Sequence, residues 1–316
     1  MKNLLVTSEI IPSDLNIKYA DAINIRDHIN DSYKNLYESL GIDDQIYDFI
    51  YGFGNKEAID FTKFISKKLN TNFILIPTVL EYDNIFNNKI VDIHDNYNQI
   101  KNIKEPLKIL IDDNLLKQNS YKNHSSGWAC IIASLTACHT WRNYPHYFNV
   151  EYDGEIDFEI NSCISKVSCP NNEENRRELI NTMKVFSDIG DTFQTSIHKE
   201  SAEHYFLYNL KNYVNIDCLF GEALALSILV IAQIINPGLA KRAQYLMKKS
   251  GIECYLPSKK IILSTLTTLR DFVEENNFNY SIINTKKFYL TDLNKTIDKV
   301  YLMALDLNHN NKYIIC

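Results

Sequence analysis

The sequence lacks paired cysteines. Its seven cysteines include no C-x-x-C motif, and an odd number of scattered cysteines is not the pattern of a disulfide framework or a structural zinc site. This cysteine usage is typical of a reducing compartment, so we expect a cytoplasmic protein.

The sequence also lacks an excess of basic residues and a long apolar run. The formal net charge is −6 and the pI is ≈ 5.8, so the composition provides no basic surface for a nucleic-acid backbone or an anionic membrane. The longest apolar stretch covers residues 223–235 and is shorter than the roughly 20 residues that span a bilayer. We therefore predict a small-molecule or protein partner, and neither a nucleic-acid nor a membrane partner.

The chain is long enough for two folded domains, with 316 residues of which 45% are hydrophobic and 23% charged. In residues 1–117 short apolar runs alternate with amphipathic segments, which predicts a shortened Rossmann-like α/β domain of the nucleotide-binding type with a parallel sheet. In residues 118–316 apolar residues recur at helical spacing, which predicts an all-α domain of the metal- and substrate-binding type. The pair Pro237-Gly238 predicts the end of a long apolar helix.

One candidate ligand site is a turn that follows an apolar strand and begins a helix. Free backbone N–H groups at a helix N-terminus favour a phosphate group. Gly52, Gly54, Asn55 and Lys56 are therefore candidate cofactor-binding residues. The same residues suit an ordinary tight turn with a solvated lysine, because glycine and asparagine tolerate positive φ. The sequence leaves both interpretations open.

A second polar segment follows the next predicted strand, at the edge where open α/β sheets bind ligands. Thr78 is a candidate cofactor contact there, and Asp83 is a candidate for holding a substrate hydroxyl or a ribose. The alternative is a turn in which the Asp83 side chain hydrogen-bonds to the nearby backbone.

Two residues of the predicted helical domain are candidate ligands of a soft metal ion. Cys130 and His204 carry the thiol and imidazole groups that bind zinc. A buried cysteine is more often a small hydrophobic residue, and a single histidine at a helix start is often only hydrogen-bonded.

Taken in order, these segments resemble the sn-glycerol-1-phosphate dehydrogenases, a family within the iron-containing alcohol dehydrogenase and dehydroquinate synthase superfamily. The likeness runs through most of the chain. Its motifs are YGFGNKEAID at residues 51–60 with Lys63, Pro77-Thr78 with Asp83, residues 134–137 with Trp141, residues 198–204, and residues 220–222.

The resemblance implies a dehydrogenase that uses NAD or NADP together with a divalent metal ion such as zinc, held by one Asp and two His. The metal ion polarises the substrate oxygen while the dinucleotide takes or gives hydride. By position the three ligands are Cys130, His204 and Phe220 here, and Asp83 and His204 would orient the substrate. Because Phe220 has no donor atom, we predict that the metal site is weak or absent.

Three functions remain open at this point. The first is an NAD(P)-dependent oxidoreductase that acts on a small polyol or sugar phosphate and has an altered metal site. The second is a non-catalytic relative that keeps the scaffold for binding a ligand or partner. The third is a metal-independent lyase or cyclase of the dehydroquinate synthase type. The family resemblance also implies a homo-oligomer.

Overall fold

The structure is a computed structural model that describes residues 2–12, 15, 17–26, 31–92, 98–100, 103–148, 151–192, 197–216, 218–278, 281–285 and 290–310. Internal contacts divide the chain into two compact units, Met1–Ser120 and Tyr121–Cys316. The division falls three residues beyond the predicted boundary at residue 117.

Unit 1 consists of short strands and helices that alternate along the chain. Its strands are β1 (Asn3–Thr7), β2 (Asp21–Asn24), β3 (Phe49–Gly54), β4 (Asn72–Pro77), β5 (Ile90–Asp92), β6 (Asn98–Ile100) and β7 (Lys108–Ile109). Its helices are α1 (Tyr33–Leu40), α2 (Lys56–Leu69) and α3 (Asp113–Leu116), and a 3-10 turn covers Asp83–Ile85.

Five of these strands form one parallel sheet in the order β2-β1-β3-β4-β7, and β5 pairs with β6 in an antiparallel hairpin. Every residue of β1 is buried, as expected for a central parallel strand that is covered on both faces. The chain runs from β1 outward to β2 and then returns past β1 to β3, so the strand order reverses between β1 and β3. In open α/β sheets, ligands bind outside the carboxyl ends of the strands at such a reversal.

The core of unit 1 lies between the sheet and helices α1 and α2. Leu4, Ile50 and Phe73 of the sheet pack with Phe61 and Phe64 of α2 in one buried cluster. Burying a side chain of this size contributes about 1.5–3 kcal/mol relative to leaving it exposed. This packing holds the amino end of α2 against the carboxyl end of β3.

Unit 2 is helical. Its helices are α4 (Tyr121–Asn143), α5 (Gly154–Ser165), α6 (Glu173–Thr192), α7 (Ala202–Leu210), α8 (Phe220–Ile235), α9 (Pro237–Ser250), α10 (Lys259–Glu275), α11 (Ile282–Thr285) and α12 (Leu290–Asn310), with a 3-10 turn at Pro145–Tyr147. Residues 223–232 of α8 are all buried, because a helix that is apolar on every side packs inside a protein. In the described part of the chain, no helix has the length and apolar composition needed to cross a membrane.

The predicted fold class, a parallel α/β sheet followed by helices, is confirmed. The structure adds one helix boundary that the sequence did not reveal. Pro237 follows the end of α8, as predicted, but it also begins α9. Its fixed φ and missing N–H suit the first position of a helix, where the N–H has no partner within the helix.

Candidate functional site

The turn between β3 and α2 has the geometry of a tight strand-to-helix turn. Gly54 has φ +131°, a backbone conformation that only glycine adopts readily, and a Cβ atom at this position would overlap Ser8 Oγ. The backbone N–H of Asn55 donates to Ser8 Oγ over 3.2 Å. Ser8 follows β1, so this hydrogen bond joins the two strand ends at the reversal of the sheet.

Gly52 supplies a second close approach. A Cβ atom at Gly52 would overlap the Thr62 side chain on α2. In dinucleotide-binding turns, glycines serve the tight turn and the close packing of the helix on the strand. Gly54 and Gly52 meet these two requirements here.

The side chains of Asn55 and Lys56 are held along α2. Asn55 caps the helix by accepting a hydrogen bond from Ala58 N over 3.4 Å. Lys56 Nζ lies 2.6 Å from Asp60 Oδ2, one helical turn further on. Burial acts to lower the pKa of Lys56, but the Asp60 carboxylate outweighs it, and the net pKa is raised. Lys56 is therefore a cation that already has a carboxylate partner.

Asp60 and Lys63 connect α2 to the turn that contains Asp83. Asp60 Oδ1 accepts a hydrogen bond from Asn84 Nδ2 over 2.5 Å. Lys63 is fully buried, and its Nζ donates to the carbonyl of Asn84 and, over 2.8 Å, to the carbonyl of Asn87. In the sequence, Lys63 is identified only as part of a motif, without a role. The available signal was its spacing, since residues 56, 60 and 63 share one face of a helix.

Carboxyl groups of Glu9 and Glu81 lie close to the carboxyl ends of β1 and β4. Thr78 Oγ1 donates to Glu9 Oε1 over 2.6 Å, and Thr78 N donates to the carbonyl of Gly54 over 3.0 Å. Burial raises the pKa of Glu81 to about 8, and the neighbouring Glu57 carboxylate adds to the shift. At neutral pH the Glu81 carboxyl is therefore mostly protonated.

In unit 2, helix α4 contacts the starts of both α7 and α8. Gly221 N donates to Ser126 Oγ over 2.7 Å, and a Cβ atom at Gly221 would overlap the Ser126 backbone. Thr136 Oγ1 donates to Glu203 Oε2 over 2.6 Å. The predicted ligand position Cys130 lies on α4 between Ser126 and Thr136.

The rings of His204 and Phe220 lie near each other at the starts of α7 and α8. Their ring centroids are 6.5 Å apart, and His204 is buried. Its Nδ1 lies 3.1 Å from Oε1 of Glu203, which also accepts a hydrogen bond from Ser201 N over 2.9 Å. A carboxylate that accepts the Nδ1–H of an imidazole fixes the tautomer and the ring orientation. The sequence motif contained Glu203, but its role depends on Thr136, 67 residues away.

The residues at the predicted metal position do not fit a three-ligand metal site. Cys130 and His204 can donate to a metal ion, whereas the phenyl ring of Phe220 cannot. Among the residues that the structure describes, no group of three or more His, Cys, Asp or Glu side chains could hold a metal ion. The weak or absent metal site stays a prediction.

The turn after β3 does fit a dinucleotide. Gly54 permits the tight turn and Gly52 permits the close packing of α2 on β3, while hydrogen bonds hold the Asn55 and Lys56 side chains along α2. The first backbone N–H groups of a helix point out of its amino end, which places those of Lys56 and Glu57 at the turn. The assignment of Gly52, Gly54, Asn55, Lys56 and Thr78 as cofactor contacts stays a prediction.

Comparison with curated proteins gives glycerol-1-phosphate dehydrogenases as sequence relatives. The glycerol-1-phosphate dehydrogenase [NAD(P)+] of Thermococcus sibiricus is 25% identical over 241 residues, which cover 72% of this chain and 68% of that protein. The enzyme of the same name from Methanococcus vannielii is 28% identical over 198 residues, which cover 60% of this chain and 58% of that protein. The curated homologues of this chain are thus glycerol-1-phosphate dehydrogenases. No family model matches the chain.

Solved structures share the fold of the whole chain. The glycerol dehydrogenase of Schizosaccharomyces pombe aligns with a TM-score of 0.65 at 13% identity, covering 99% of this chain and 86% of that one. The sulfoacetaldehyde reductase of Bifidobacterium kashiwanohense, solved in complex with NAD+, aligns with a TM-score of 0.62 at 13% identity and covers 95% and 91%. An iron-containing alcohol dehydrogenase aligns with a TM-score of 0.59 at 14% identity and covers 97% and 92%. The predicted resemblance to glycerol-1-phosphate dehydrogenases is confirmed, and the fold is similar to that of an iron-containing alcohol dehydrogenase.

Proposed function

We propose that this protein is an NAD(P)-dependent oxidoreductase that interconverts a small phosphorylated polyol and the corresponding carbonyl compound. The observation that carries the proposal is the turn from Gly52 to Lys56, which lies at the strand-order reversal and has the glycine geometry of a dinucleotide turn. The homologues named glycerol-1-phosphate dehydrogenase [NAD(P)+] give the substrate class, with glycerol 1-phosphate as the first compound to test.

Unit 1 binds the dinucleotide in this proposal. The pyrophosphate accepts hydrogen bonds from the first backbone N–H groups of α2, where the helix dipole also favours an anion. When bound, NAD(P) supplies the hydride acceptor or donor. Lys56 contributes to the local positive potential, but its ion pair with Asp60 keeps the ammonium group along the helix.

In unit 2, His204 exchanges a proton with the substrate hydroxyl, and Glu203 assists this transfer. In the oxidation direction the imidazole of His204 accepts this proton, and in the reduction direction it returns it. The buried Glu203 carboxylate stabilises the imidazolium, and its hydrogen bonds to Thr136 and Ser201 hold it in place. This route needs no metal ion, in keeping with the phenyl ring at position 220.

Asp83 is the second catalytic residue of the proposal. Its buried carboxylate accepts a hydrogen bond from a substrate hydroxyl in this proposal. Lys63 holds the turn on which Asp83 lies, through the carbonyls of Asn84 and Asn87, and acts as a positioning residue.

The test combines binding with turnover. NADH and NADPH are titrated into the protein by fluorescence, and oxidation of glycerol 1-phosphate is followed with NAD+ and with NADP+. We expect dinucleotide binding and turnover, and His204→Ala should lower kcat by about 10²–10⁴-fold while dinucleotide binding persists. The exposed His146 provides the matched control, and His146→Ala should leave kcat unchanged. Absence of binding for both dinucleotides would overturn the proposal.

A second candidate function, ligand binding without catalysis, is favoured by Phe220. The family resemblance implies a metal-binding histidine at position 220, but here a phenyl ring lies near His204 and cannot bind a metal ion or a polar substrate group. This alternative predicts that a dinucleotide binds, that glycerol 1-phosphate and related polyol phosphates are not oxidised, and that His204→Ala changes nothing that the turnover assay measures.

A further inference from the structure

We propose that Arg26 makes this protein prefer NADP(H) to NAD(H) by pairing with the phosphate group on the 2′-oxygen of the adenosine ribose. The inference rests on the proposed function, because it concerns the same dinucleotide. It adds which of the two dinucleotides binds more tightly and which residue decides the choice.

The sheet order indicates where the ribose lies. In doubly wound folds the pyrophosphate lies at one strand end and the ribose at the neighbouring strand end, where a carboxylate binds the 2′-hydroxyl of NAD or an arginine binds the 2′-phosphate of NADP. The pyrophosphate is assigned here to the turn after β3. The neighbour of β3 at the strand-order reversal is β1, which ends at Thr7. The ribose is therefore expected beside Ser8, the residue that follows β1.

Arg26 reaches this position from the adjacent strand. β2 ends at Asn24, which pairs with Thr7 of β1. Two residues later, Arg26 Nε donates to the carbonyl of Ser8 over 2.9 Å, and Arg26 N donates to Asn24 Oδ1 over 3.0 Å. The guanidinium group thus lies at the carboxyl end of β1. The bond from Nε uses one of its five N–H donors, so the others can bind a phosphate group.

Ser8 links the arginine to the pyrophosphate turn. Its carbonyl accepts the hydrogen bond from Arg26, and its hydroxyl accepts the hydrogen bond from Asn55 N. Ser8 therefore contacts both Arg26 and Asn55, the residue that comes directly before α2 in the pyrophosphate turn. In a dinucleotide the pyrophosphate is bonded to the 5′-oxygen of the adenosine ribose. The two groups can therefore bind at adjoining strand ends.

The carboxylate that is nearest to Ser8 in the sequence, that of Glu9, forms a hydrogen bond with a residue on the side of β1 away from Arg26. Glu9 follows Ser8, but its Oε1 accepts a hydrogen bond from Thr78, which follows β4 on the far side of β3. Within the described ranges, no carboxylate forms an ion pair with Arg26. Guanidinium binds phosphate in a bidentate geometry, so Arg26 suits a phosphate group at this strand end.

The experiment measures dinucleotide affinity and not turnover. NADPH and NADH are titrated by fluorescence into the wild-type protein and into Arg26→Gln. We expect wild type to bind NADPH more tightly, and Arg26→Gln to raise the Kd for NADPH by roughly 10- to 150-fold, the range for losing one charge-assisted pair. The Kd for NADH should change by less than about twofold, because NADH has no 2′-phosphate.

Two control variants make the result specific. Lys18→Gln removes the same charge from an exposed lysine near the amino end of β1, so it should leave both Kd values unchanged. Asp27 is next to Arg26 in sequence and lies outside the described residues. If Asp27→Asn weakens NADH binding and Arg26→Gln leaves NADPH binding intact, the proposal is overturned, because the carboxylate then selects NAD.

A fragment pair separates this inference from the proposed function. 2′,5′-ADP carries the 2′-phosphate, whereas 5′-AMP does not. Arg26-dependent binding of 2′,5′-ADP, together with no oxidation of any polyol phosphate, would support the arginine assignment and overturn the proposed function. Equal affinity for the two fragments, unchanged in Arg26→Gln, would overturn the arginine assignment whether or not the protein is an oxidoreductase.

Discussion

Replacing Glu81 with glutamine should stabilise the protein more strongly as the pH rises from about 5 to about 8. The ordinary pKa of a glutamate is 4.5, and burial and the Glu57 carboxylate raise that of Glu81 to about 8 in the folded protein. Between these two values the unfolded chain has released the proton and the folded chain still binds it. Stability therefore falls as the pH rises through this window, and above pH 8 the full cost of a buried carboxylate is present.

The size of the effect follows from the pKa shift. One pKa unit corresponds to about 1.4 kcal/mol, so the steepest loss is about 1.4 kcal/mol per pH unit. Glu81 is only partly buried, and solvent screening reduces the total. We expect Glu81→Gln to be more stable than wild type by about 1–3 kcal/mol at pH 8.5, and nearly equal to it at pH 4.5.

Urea unfolding at pH 4.5, 6.5 and 8.5 measures this difference directly, with Glu105→Gln as the control because Glu105 is exposed in the same unit. The control should show the same pH dependence as wild type. The same protonation affects dinucleotide binding, since an ionised Glu81 repels a pyrophosphate. The affinity of wild type for NADPH should fall above pH 8, and that of Glu81→Gln should not. A stability difference between Glu81→Gln and wild type that is the same at all three pH values would refute the reasoning.

Three further substitutions test other parts of the account. Lys63→Met should lower the free energy of unfolding by about 2–4 kcal/mol, measured in urea, because two carbonyls lose their hydrogen-bond donor. Gly54→Ala should destabilise by about 1–3 kcal/mol through its positive φ and should weaken NADPH binding in a fluorescence titration. Phe220→His should raise zinc affinity by roughly 10- to 100-fold in calorimetry, since the family resemblance implies Cys130 and His204 as the other two ligands. Unchanged zinc affinity would show that position 220 does not face a metal site.

Local sequence signals were sufficient for the elements that surround the dinucleotide turn. Apolar runs predicted β1, β3 and β4, and the segment of α2 has the spacing of an amphipathic helix. Gly54 was identified because glycine follows an apolar strand just before a helix. These features depend on residues that are neighbours in the chain, so a single sequence contains them.

The contacts that give the site its chemistry involve residues that are distant in the chain. Glu203 accepts a hydrogen bond from Thr136, and Arg26 after β2 donates to the carbonyl of Ser8 after the neighbouring strand β1. Neither pair of residues has a spacing in the sequence that predicts a contact. The ion pair of Lys56 with Asp60 could have been predicted from the sequence, because residues at i and i+4 are neighbours on a helix. The sequence left open whether Lys56 pairs with a phosphate group or is solvated, and the structure shows instead that Asp60 is its partner.

Whether the protein oxidises a polyol phosphate without a metal ion is measured most directly by turnover after metal removal. The protein is dialysed against EDTA, its residual metal content is determined by mass spectrometry, and oxidation of glycerol 1-phosphate with NADP+ is followed before and after adding zinc. We predict that turnover persists in the metal-free protein, is unchanged by zinc, and is lost in His204→Ala. Turnover that disappears with the chelator and returns with stoichiometric zinc would contradict the account.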